Sequence, residues 1–347
     1  MDITMNRPTS NLSLAAQLLC CLVLTVMMSD NVLAKDSKLP AFRPEDAHRL
    51  QYIDDLSISP DGEWVAYAVG TTNVDKDEFA SDLYMVNWDG LTRIQLTHTD
   101  DSSESSPQFS PDGKYLAFIA ARSGGKSDED DDPKAESQVW MLNRAGGEAQ
   151  RVTELAGGVS AFAWSPDSTR LVLVSTDPPE KAKKKDDDAP SHDTPKPIVV
   201  DRYRFKQDGV GYLGDQYQRI YVFDLDSKSA TLLTPGSYDS DEPAWSPDGK
   251  LIAFSSKRQG DPDRHGNTDI YVVEALAGSD ARQLTTWEGP DFSPVFNPDG
   301  KSIAYLRGGP AKYADYDPAQ LAVVGLDSGE PLLPASSLDR AVSSPRW

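Results

Sequence analysis

The residue types that could carry cofactor chemistry are present in this 347-residue chain, but their surroundings do not suit it. Residues 209–214 read Gly-Val-Gly-Tyr-Leu-Gly, which matches the Gly-x-Gly-x-x-Gly pattern of dinucleotide binding. That chemistry requires a strand before the glycines and a helix after them, because the first amides of the helix hold the pyrophosphate. The strand-like segment 219–223 follows instead. The sequence therefore predicts no bound cofactor.

Metal ligands are equally poorly placed. Asp128, Asp130 and Asp132 have the spacing of a calcium loop, but Pro133 stands where that loop needs Gly and Val139 where it needs Glu. Four histidines are dispersed along the chain without a ligand spacing: His48, His98, His192 and His265. The sequence predicts no metal site.

A serine nucleophile of the α/β-hydrolase type would sit on a Gly-x-Ser-x-Gly turn, and no segment of the chain has that pattern. No catalytic residue is therefore nominated, and whether the chain takes part in an enzyme is left open by its residues. Its 55 acidic and 34 basic residues give a formal charge of -21. The sequence therefore predicts no nucleic-acid partner, since binding a polyphosphate depends on clustered Lys and Arg.

The first 34 residues have the features of a signal peptide. Arg7 precedes an apolar run at 12–28, and Ala34 closes a Val-Leu-Ala cleavage site. The alternative is an uncleaved membrane anchor, but the run is shorter than the roughly 20 apolar residues that span a bilayer. Cys20 and Cys21 are adjacent within it and cannot form a disulfide framework. We predict cleavage after Ala34, a secreted or periplasmic protein, and no stable membrane anchor.

A four-residue turn motif is repeated through the rest of the chain. Ser-Pro-Asp-Gly or a close variant occupies residues 59–62, 110–113, 165–168, 246–249 and 297–300. An apolar residue precedes each copy: Ile58, Phe109, Trp164, Trp245 and Phe296. Successive copies are 51, 55, 81 and 51 residues apart, and Trp347 follows Phe296 by another 51. Pro, Asp and Gly together form tight turns, because Asp bonds the backbone two residues on and Gly accepts a positive φ.

Each turn is followed by short apolar segments that predict strands, as at 64–67, 83–86 and 93–97. With the strand before the turn, each repeat has four. Four antiparallel strands in about 50 residues, repeated, are typical of a β-propeller blade. A β-sandwich also has many short strands, but it does not predict a fixed period. The prediction is an all-β propeller over residues 35–347, with five blades and the first strand of a sixth, hence incomplete.

Departures from the period indicate insertions. Residues 123–136 and 177–194 are charged, low-complexity segments, which we expect to be solvated loops. The third repeat is about 30 residues longer than the basic period. Within this extra length, residues 197–205 are apolar and aromatic enough to predict an ordered segment.

Two further segments carry a family resemblance. Residues 201–213, Asp-Arg-Tyr-Arg-Phe-Lys-Gln-Asp-Gly-Val-Gly-Tyr-Leu, and residues 256–271 resemble stretches of secreted prolyl oligopeptidase family serine peptidases, near the acylaminoacyl-peptidase and dipeptidyl-peptidase branches. The Ser-Pro-Asp-Gly repeats are also similar to those of the periplasmic protein TolB. In the peptidase family a propeller caps a C-terminal α/β-hydrolase domain, which this chain does not contain.

The resemblance implies a substrate-gating propeller whose partners are short peptides, hydrolysed by the missing domain. No catalytic residue is carried over to this chain. The alternative is a TolB-like periplasmic propeller that serves as a scaffold for a protein partner. A propeller enzyme with its own site, such as a glycan-cleaving one, is a third possibility, but the residues nominate no catalytic pair. The oligomeric state is not predicted.

Overall fold

The computed structural model describes residues 41–74, 77–99, 102–122, 136–178, 198–200, 202–208, 211–313, 316–327 and 329–347. The predicted signal peptide at 1–34, residues 123–135 of the first insert and residues 179–194 of the second lie outside these ranges. The chain divides into two compact units, residues 1–47 and 48–347. In the first, the Arg43 amide donates to Asp46 at 2.9 Å, near the start of the 3₁₀ helix Pro44–Arg49. None of the helices in the described ranges has the length and hydropathy of a membrane span.

The described residues of the second unit form six antiparallel sheets, of which five are the predicted blades and one is a two-stranded hairpin in the third repeat. Blade 1 contains β1 (Tyr52–Ile58), β2 (Trp64–Asn73), β3 (Glu78–Asn87) and β4 (Arg93–Gln95). Blade 2 contains β5 (Glu104–Phe109), β6 (Tyr115–Ala120), β7 (Gln138–Asn143) and β8 (Gln150–Arg151). Blade 3 contains β9 (Ala161–Trp164), β10 (Arg170–Thr176), β13 (Gln218–Asp224) and β14 (Ser229–Leu232).

The remaining strands of the blades form blades 4 and 5. Blade 4 contains β15 (Ser240–Trp245), β16 (Leu251–Ser256), β17 (Asp269–Glu274) and β18 (Arg282–Gln283). Blade 5 contains β19 (Asp291–Phe296), β20 (Ser302–Arg307) and β21 (Gln320–Gly325). Two short 3₁₀ helices lie in loops of these blades, Pro262–Arg264 and Ala311–Tyr313. The predicted all-β propeller fold is confirmed.

The repeated turns have the predicted chemistry. In the first copy, the Glu63 amide donates to Asp61 Oδ1 at 3.0 Å, and Gly62 has a φ of 72°. Gly113, Gly249 and Gly300 have φ values between 68° and 73°. In the third copy, which lacks the glycine, Ser168 takes the same conformation with a φ of 61°. The turn therefore tolerates one non-glycine residue in the left-handed region, at some cost in strain.

The core lies between neighbouring blades. Blades 1 and 2 pack through Leu83 and Phe118, and blades 3 and 4 through Ile220 and Phe254, all fully buried. Blades 4 and 5 share a third cluster that contains Tyr305. Each such side chain contributes about 1.5–3 kcal/mol relative to an exposed one. Because a single sheet cannot bury both of its faces, the blades depend on one another for stability.

The first strand of each blade lies next to the first strand of the following blade, so these strands occupy the inner end of the blades. Four of them carry a β-bulge in which one non-glycine residue has a φ of 52° to 57°: Asp55, Ser106, Glu242 and Ser293. Residues on successive bulges contact each other, because the Ser106 amide donates to Asp55 Oδ2 and the Ser293 amide to Glu242 Oε2, both at 2.8 Å. The bulges thus link neighbouring blades near the propeller axis.

Two details correct the prediction of four strands per repeat and of a first strand in a sixth blade. Blade 5 has three strands, with a single further bridge between Val323 and Leu332 in place of a fourth. No strand follows Gly325 in the described part of the chain. However, Ser344 has a φ of 49°, which is the bulge conformation of the first strands. The start of the sixth repeat thus has the φ of a bulge at Ser344, but the first strand predicted for a sixth blade is not formed in the described part of the chain.

Candidate functional site: a charged cleft beside the third-blade insertion

The insertion of the third repeat lies against blade 4. It contains the hairpin β11 (Lys206–Gln207) and β12 (Gly211–Tyr212), and the loop before β17 contacts it. Arg202 donates to both carboxylate oxygens of Asp263, with Nη2 to Oδ1 at 2.6 Å and Nε to Oδ2 at 2.9 Å. The Arg204 amide donates to the same carboxylate at 3.1 Å. The hydrogen bonds from Arg202, above all, lower the pKa of Asp263 to about 2.

Two cavities adjoin this contact. One has a volume of about 240 Å³ and the other of about 260 Å³, and both are lined by Arg204, Gln218, Asp239 and Lys257. The second cavity reaches the bulge of the inner strand β15 at Glu242. We call the two cavities together the insert cleft. It connects the inner end of blade 4 with the inserted hairpin, so a ligand entering there would contact both.

Two cations are prominent in the insert cleft. Lys257 Nζ donates to the carbonyl of His265 at 2.9 Å, and the Arg204 guanidinium donates to Gln207 Oε1 at 3.1 Å. Within the described ranges, neither cation has a carboxylate within 4.0 Å. Burial lowers the pKa of Lys257, and the charge of Arg204 lowers it further.

The carboxylates of the insert cleft are held by other groups. Asp239 accepts from the Gln218 amide at 2.9 Å, and Glu242 accepts from both the amide and the hydroxyl of Ser293 at 2.8 and 2.9 Å. Asp241 lies between them in sequence, and burial raises its pKa, as do the charges of Glu242 and Asp239. The cleft is therefore charged on both sides.

Behind the cleft, Arg258 is stacked among three aromatic rings. Its guanidinium carbon lies 4.4 Å from the ring centre of Tyr238, 4.7 Å from that of Tyr271 and 5.1 Å from that of Phe254. Its Nη2 is buried and has no hydrogen-bond partner in the described ranges. Burial lowers the pKa of Arg258. Because Tyr238 also lines the insert cleft, this stack fixes one wall of it.

The residues that sequence reasoning tested for chemistry are spread over the structure. Gly211 and Tyr212 of the glycine pattern form strand β12, and the next element is strand β13. His98 lies 3.9 Å from Asp82 in blade 1, and His265 lies in the loop that contacts the insertion. Asp128, Asp130, Asp132 and His192 lie outside the described ranges. No group of three or more His, Cys, Asp or Glu residues in those ranges is arranged to hold a metal ion.

The insert cleft itself was not predicted residue by residue. The sequence singled out segments 201–213 and 256–271, and these contribute Arg204 and Lys257. The sequence did not show that Arg204 and Lys257 face one cavity, because that arrangement depends on the way the insertion folds over blade 4. A signal was present in the Arg-x-Arg spacing of Arg202 and Arg204, where one arginine binds Asp263 and the next remains available.

Curated relatives of the chain are peptidases. The chain is 29% identical over 229 residues to "Uncharacterized peptidase YuxL" of Bacillus subtilis, which covers 66% of this chain and 33% of that protein. It is 26% identical over 275 residues to "Dipeptidyl-peptidase 5" of Porphyromonas gingivalis, which covers 76% of this chain and 38% of that protein. The chain thus spans about a third to two fifths of the length of these two relatives. No family model matches it.

Solved structures share the fold. The acylaminoacyl peptidase of Pyrococcus horikoshii is 20% identical with a TM-score of 0.61, covering 86% of this chain and 41% of that one. The β-propeller domain of the Trilobed protease of Pyrococcus furiosus is 17% identical with a TM-score of 0.54, covering 86% and 74%. A putative TolB of Agrobacterium tumefaciens is 18% identical with a TM-score of 0.50, covering 82% and 80%. The predicted resemblance to the propellers of prolyl oligopeptidase family peptidases is confirmed.

Proposed function

We propose that this chain is the substrate-admitting propeller of a secreted or periplasmic serine peptidase that hydrolyses short peptides. The observation that carries the proposal is the similarity to two peptidases over 66% and 76% of the chain. The matched part is only 33% and 38% of those proteins, which leaves room in them for a hydrolase domain. Since this chain has no Gly-x-Ser-x-Gly segment, the nucleophile would belong to such a domain.

The geometry supports a role in admitting peptides. The insert cleft is narrow, with cavities of about 240 and 260 Å³, and it reaches the inner strand of blade 4. Its charged groups on both sides suit a peptide with free termini better than an apolar ligand. The Arg202–Asp263 ion pair holds the inserted hairpin against the cleft, so the hairpin would limit the size of what enters.

The test uses the complete reading frame that contains this chain. We expect it to encode further repeats and a Gly-x-Ser-x-Gly domain, and its product to hydrolyse dipeptide and tetrapeptide anilides but not folded casein. A variant in which a short Gly-Ser linker replaces residues 203–214 should cleave longer peptides faster relative to dipeptides. An unchanged size preference in a variant that unfolds at the wild-type temperature would contradict the gating role, and a product without peptidase activity would contradict the proposal.

Secretion is tested separately. We expect mass spectrometry of the protein isolated from the periplasm or medium to give an N-terminus at Lys35. A protein that keeps its first residues and stays in the cytoplasm would contradict this part of the proposal.

A second candidate function is a protein-binding scaffold. The observation in its favour is the structural likeness to a putative TolB, because the match covers 80% of that chain and so includes most of it. Affinity purification from the periplasm distinguishes the two functions. One stoichiometric protein partner, together with a reading frame that contains no hydrolase domain, would favour the scaffold.

A further inference from the structure

The insert cleft contains two cations, Arg204 and Lys257, that no carboxylate pairs with directly in the described ranges. The chain as a whole carries 55 acidic against 34 basic residues. Two other arginines of the described ranges, Arg122 and Arg307, are paired with the buried carboxylates of Glu104 and Asp291. Arg204 and Lys257 face a shared cavity and are not paired in this way.

The carboxylates nearby have hydrogen-bond partners other than the two cations. Glu242 is engaged by Ser293 of the next blade and also accepts from the Ser255 hydroxyl at 3.1 Å. Asp263 accepts from both Nε and Nη2 of Arg202, and its charge is thereby satisfied. Asp239 and Asp263 act on Lys257 at longer range and raise its pKa, but in the described ranges neither they nor any other carboxylate lies within 4.0 Å of the charged nitrogens of Lys257 or Arg204.

The two side chains retain donors for a ligand. Arg204 uses its Nη2 on Gln207, and its Nη1 and Nε have no hydrogen-bond partner in the described part of the chain. Lys257 donates to the carbonyls of His265 and Pro262, which position its ammonium but supply no full negative charge. An arginine fork beside an ammonium is a suitable pair of donors for a carboxylate, because each can give a charge-assisted hydrogen bond.

We propose that Arg204 and Lys257 together bind a carboxylate group of the peptide that enters the insert cleft. The inference rests on the proposed function, since it names the group by which an admitted peptide is recognised. A bound carboxylate would reduce the electrostatic repulsion between the two cations. We therefore expect the site to bind an anionic ligand in preference to water. The group is either the C-terminal carboxylate or the side chain of Asp or Glu.

Binding to the 347-residue chain tests the site. The probes carry one uncharged fluorophore on the N-terminal nitrogen in place of an acetyl group, and are labelled trialanine with a free C-terminus, the same labelled peptide as its amide, and labelled Ala-Glu-Ala amide. We expect the amide of trialanine to bind at least tenfold more weakly than a carboxylate-bearing peptide. If the free acid alone binds, the site reads the C-terminus; if the Glu peptide binds as well, it reads either carboxylate.

Charge-neutral variants locate the site. Arg204→Gln and Lys257→Gln should each weaken binding of the acidic probes about tenfold and leave the weak binding of the amide unchanged. The matched controls are Lys250→Gln and Lys301→Gln, which remove a positive charge from exposed turns of blades 4 and 5. Equal binding of acid and amide, or loss of affinity in the controls as large as in the cleft variants, would overturn the carboxylate site.

Hydrolysis by the product of the complete reading frame separates this inference from the proposed function. If that product cleaves amidated and free peptides equally well, peptide admission stands and the carboxylate site is wrong. If it cleaves no short peptide, the proposed function is wrong, and the carboxylate inference fails with it.

Discussion

The indole Nε1 of Trp347 donates a hydrogen bond to the carbonyl of Val295 at 3.1 Å, 52 residues earlier in the chain. Trp245 makes the same bond to Ala163, and Trp164 to Gln108, each at 3.2 Å. Trp164 and Trp245 end the first strands of blades 3 and 4, Trp347 occupies the equivalent sequence position of the sixth repeat, and each tryptophan reaches back to the first strand of the preceding blade. This bond is the most regular link between blades, and its loss should be measurable.

Trp245→Phe removes that bond and leaves the ring. We expect it to lower the free energy of unfolding by about 1–2 kcal/mol, because a neutral hydrogen bond contributes about 1 kcal/mol and the stack of Arg170 on the ring, at 4.9 Å, is also weakened. Urea denaturation measures the change. Trp88→Phe is the control, since Trp88 is largely exposed, and equal losses in the two variants would contradict the assignment.

Glu104 is a fully buried carboxylate between blades 1 and 2. It accepts from Arg122 Nη2 at 3.0 Å, from Thr99 at 2.8 Å and from Thr97 at 3.0 Å. Glu104→Ala should cost about 3–5 kcal/mol of unfolding free energy, because it leaves a largely buried arginine without its anion. Glu154→Ala breaks an exposed ion pair with Arg151 and should cost less than about 1 kcal/mol. Chemical denaturation measures both losses, and similar losses of unfolding free energy in Glu104→Ala and Glu154→Ala would contradict the prediction.

Blades 4 and 5 meet at two buried carboxylates. Burial, and then the charge of Asp291, raises the pKa of Asp269 to about 6. Burial likewise raises the pKa of Asp291 to about 6, although Arg307 donates to it at 3.2 Å. Because both folded pKa values exceed the ordinary value near 4, the folded state binds protons that the unfolded state releases. Stability from this pair should therefore be present below about pH 4 and decline as the pH rises to about 6.

Asp269→Asn should remove much of that decline and raise the unfolding free energy at pH 7.5 by about 1–2 kcal/mol. The amide oxygen of Asn can still accept from Gln259 and Gln283, which donate to Asp269 at 2.9 and 3.0 Å. Thermal unfolding between pH 4 and 8 measures how steeply the unfolding free energy changes with pH. Asp226→Asn, at an exposed position, is the control. A variant slope equal to that of the wild type would show that the pair does not govern it.

The inserted hairpin should be released when its ion pair is broken. Asp263→Asn removes the charge that binds Arg202 and should increase the rate of limited proteolysis within residues 198–217 by several-fold, while the blades stay folded. Asp261→Asn removes a neighbouring carboxylate that pairs with the exposed Arg264 and serves as the control. Cleavage at equal rates in the two variants would mean that Arg202–Asp263 does not anchor the insertion.

The repeat predicted the blades, because Ser-Pro-Asp-Gly reports a turn that involves only neighbouring residues. The bonds of Asp61 and the φ of Gly62 are local, and both were predictable. Ser-Pro and Glu-Pro dipeptides occur at the bulges with the spacing of the turn motif. They did not reveal that Glu242 would bind Ser293 of the next blade. Contacts of this kind depend on the stacking of two sheets, which a single sequence does not specify.

The insertion of the third repeat shows the same limit of prediction from a single sequence. Residues 197–205 were predicted to be ordered because they are apolar, but Ile198, Val199 and Val200 are more than half exposed. Their described neighbours are positioned by Arg202 instead, through a charged contact with a residue 61 positions away. The buried pair Asp269 and Asp291 was missed for a related reason, since nothing in the sequence distinguishes them from the many solvated acids.

The Arg202–Asp263 pair also has a mechanical consequence. It joins the insertion of blade 3 to a loop of blade 4, so it adds a direct contact between these blades to the core that they share. A propeller that opened sideways to take in a larger molecule would have to separate along a different seam. We therefore expect blades 3 and 4 to stay together in any such movement and the opening to occur between another pair of blades.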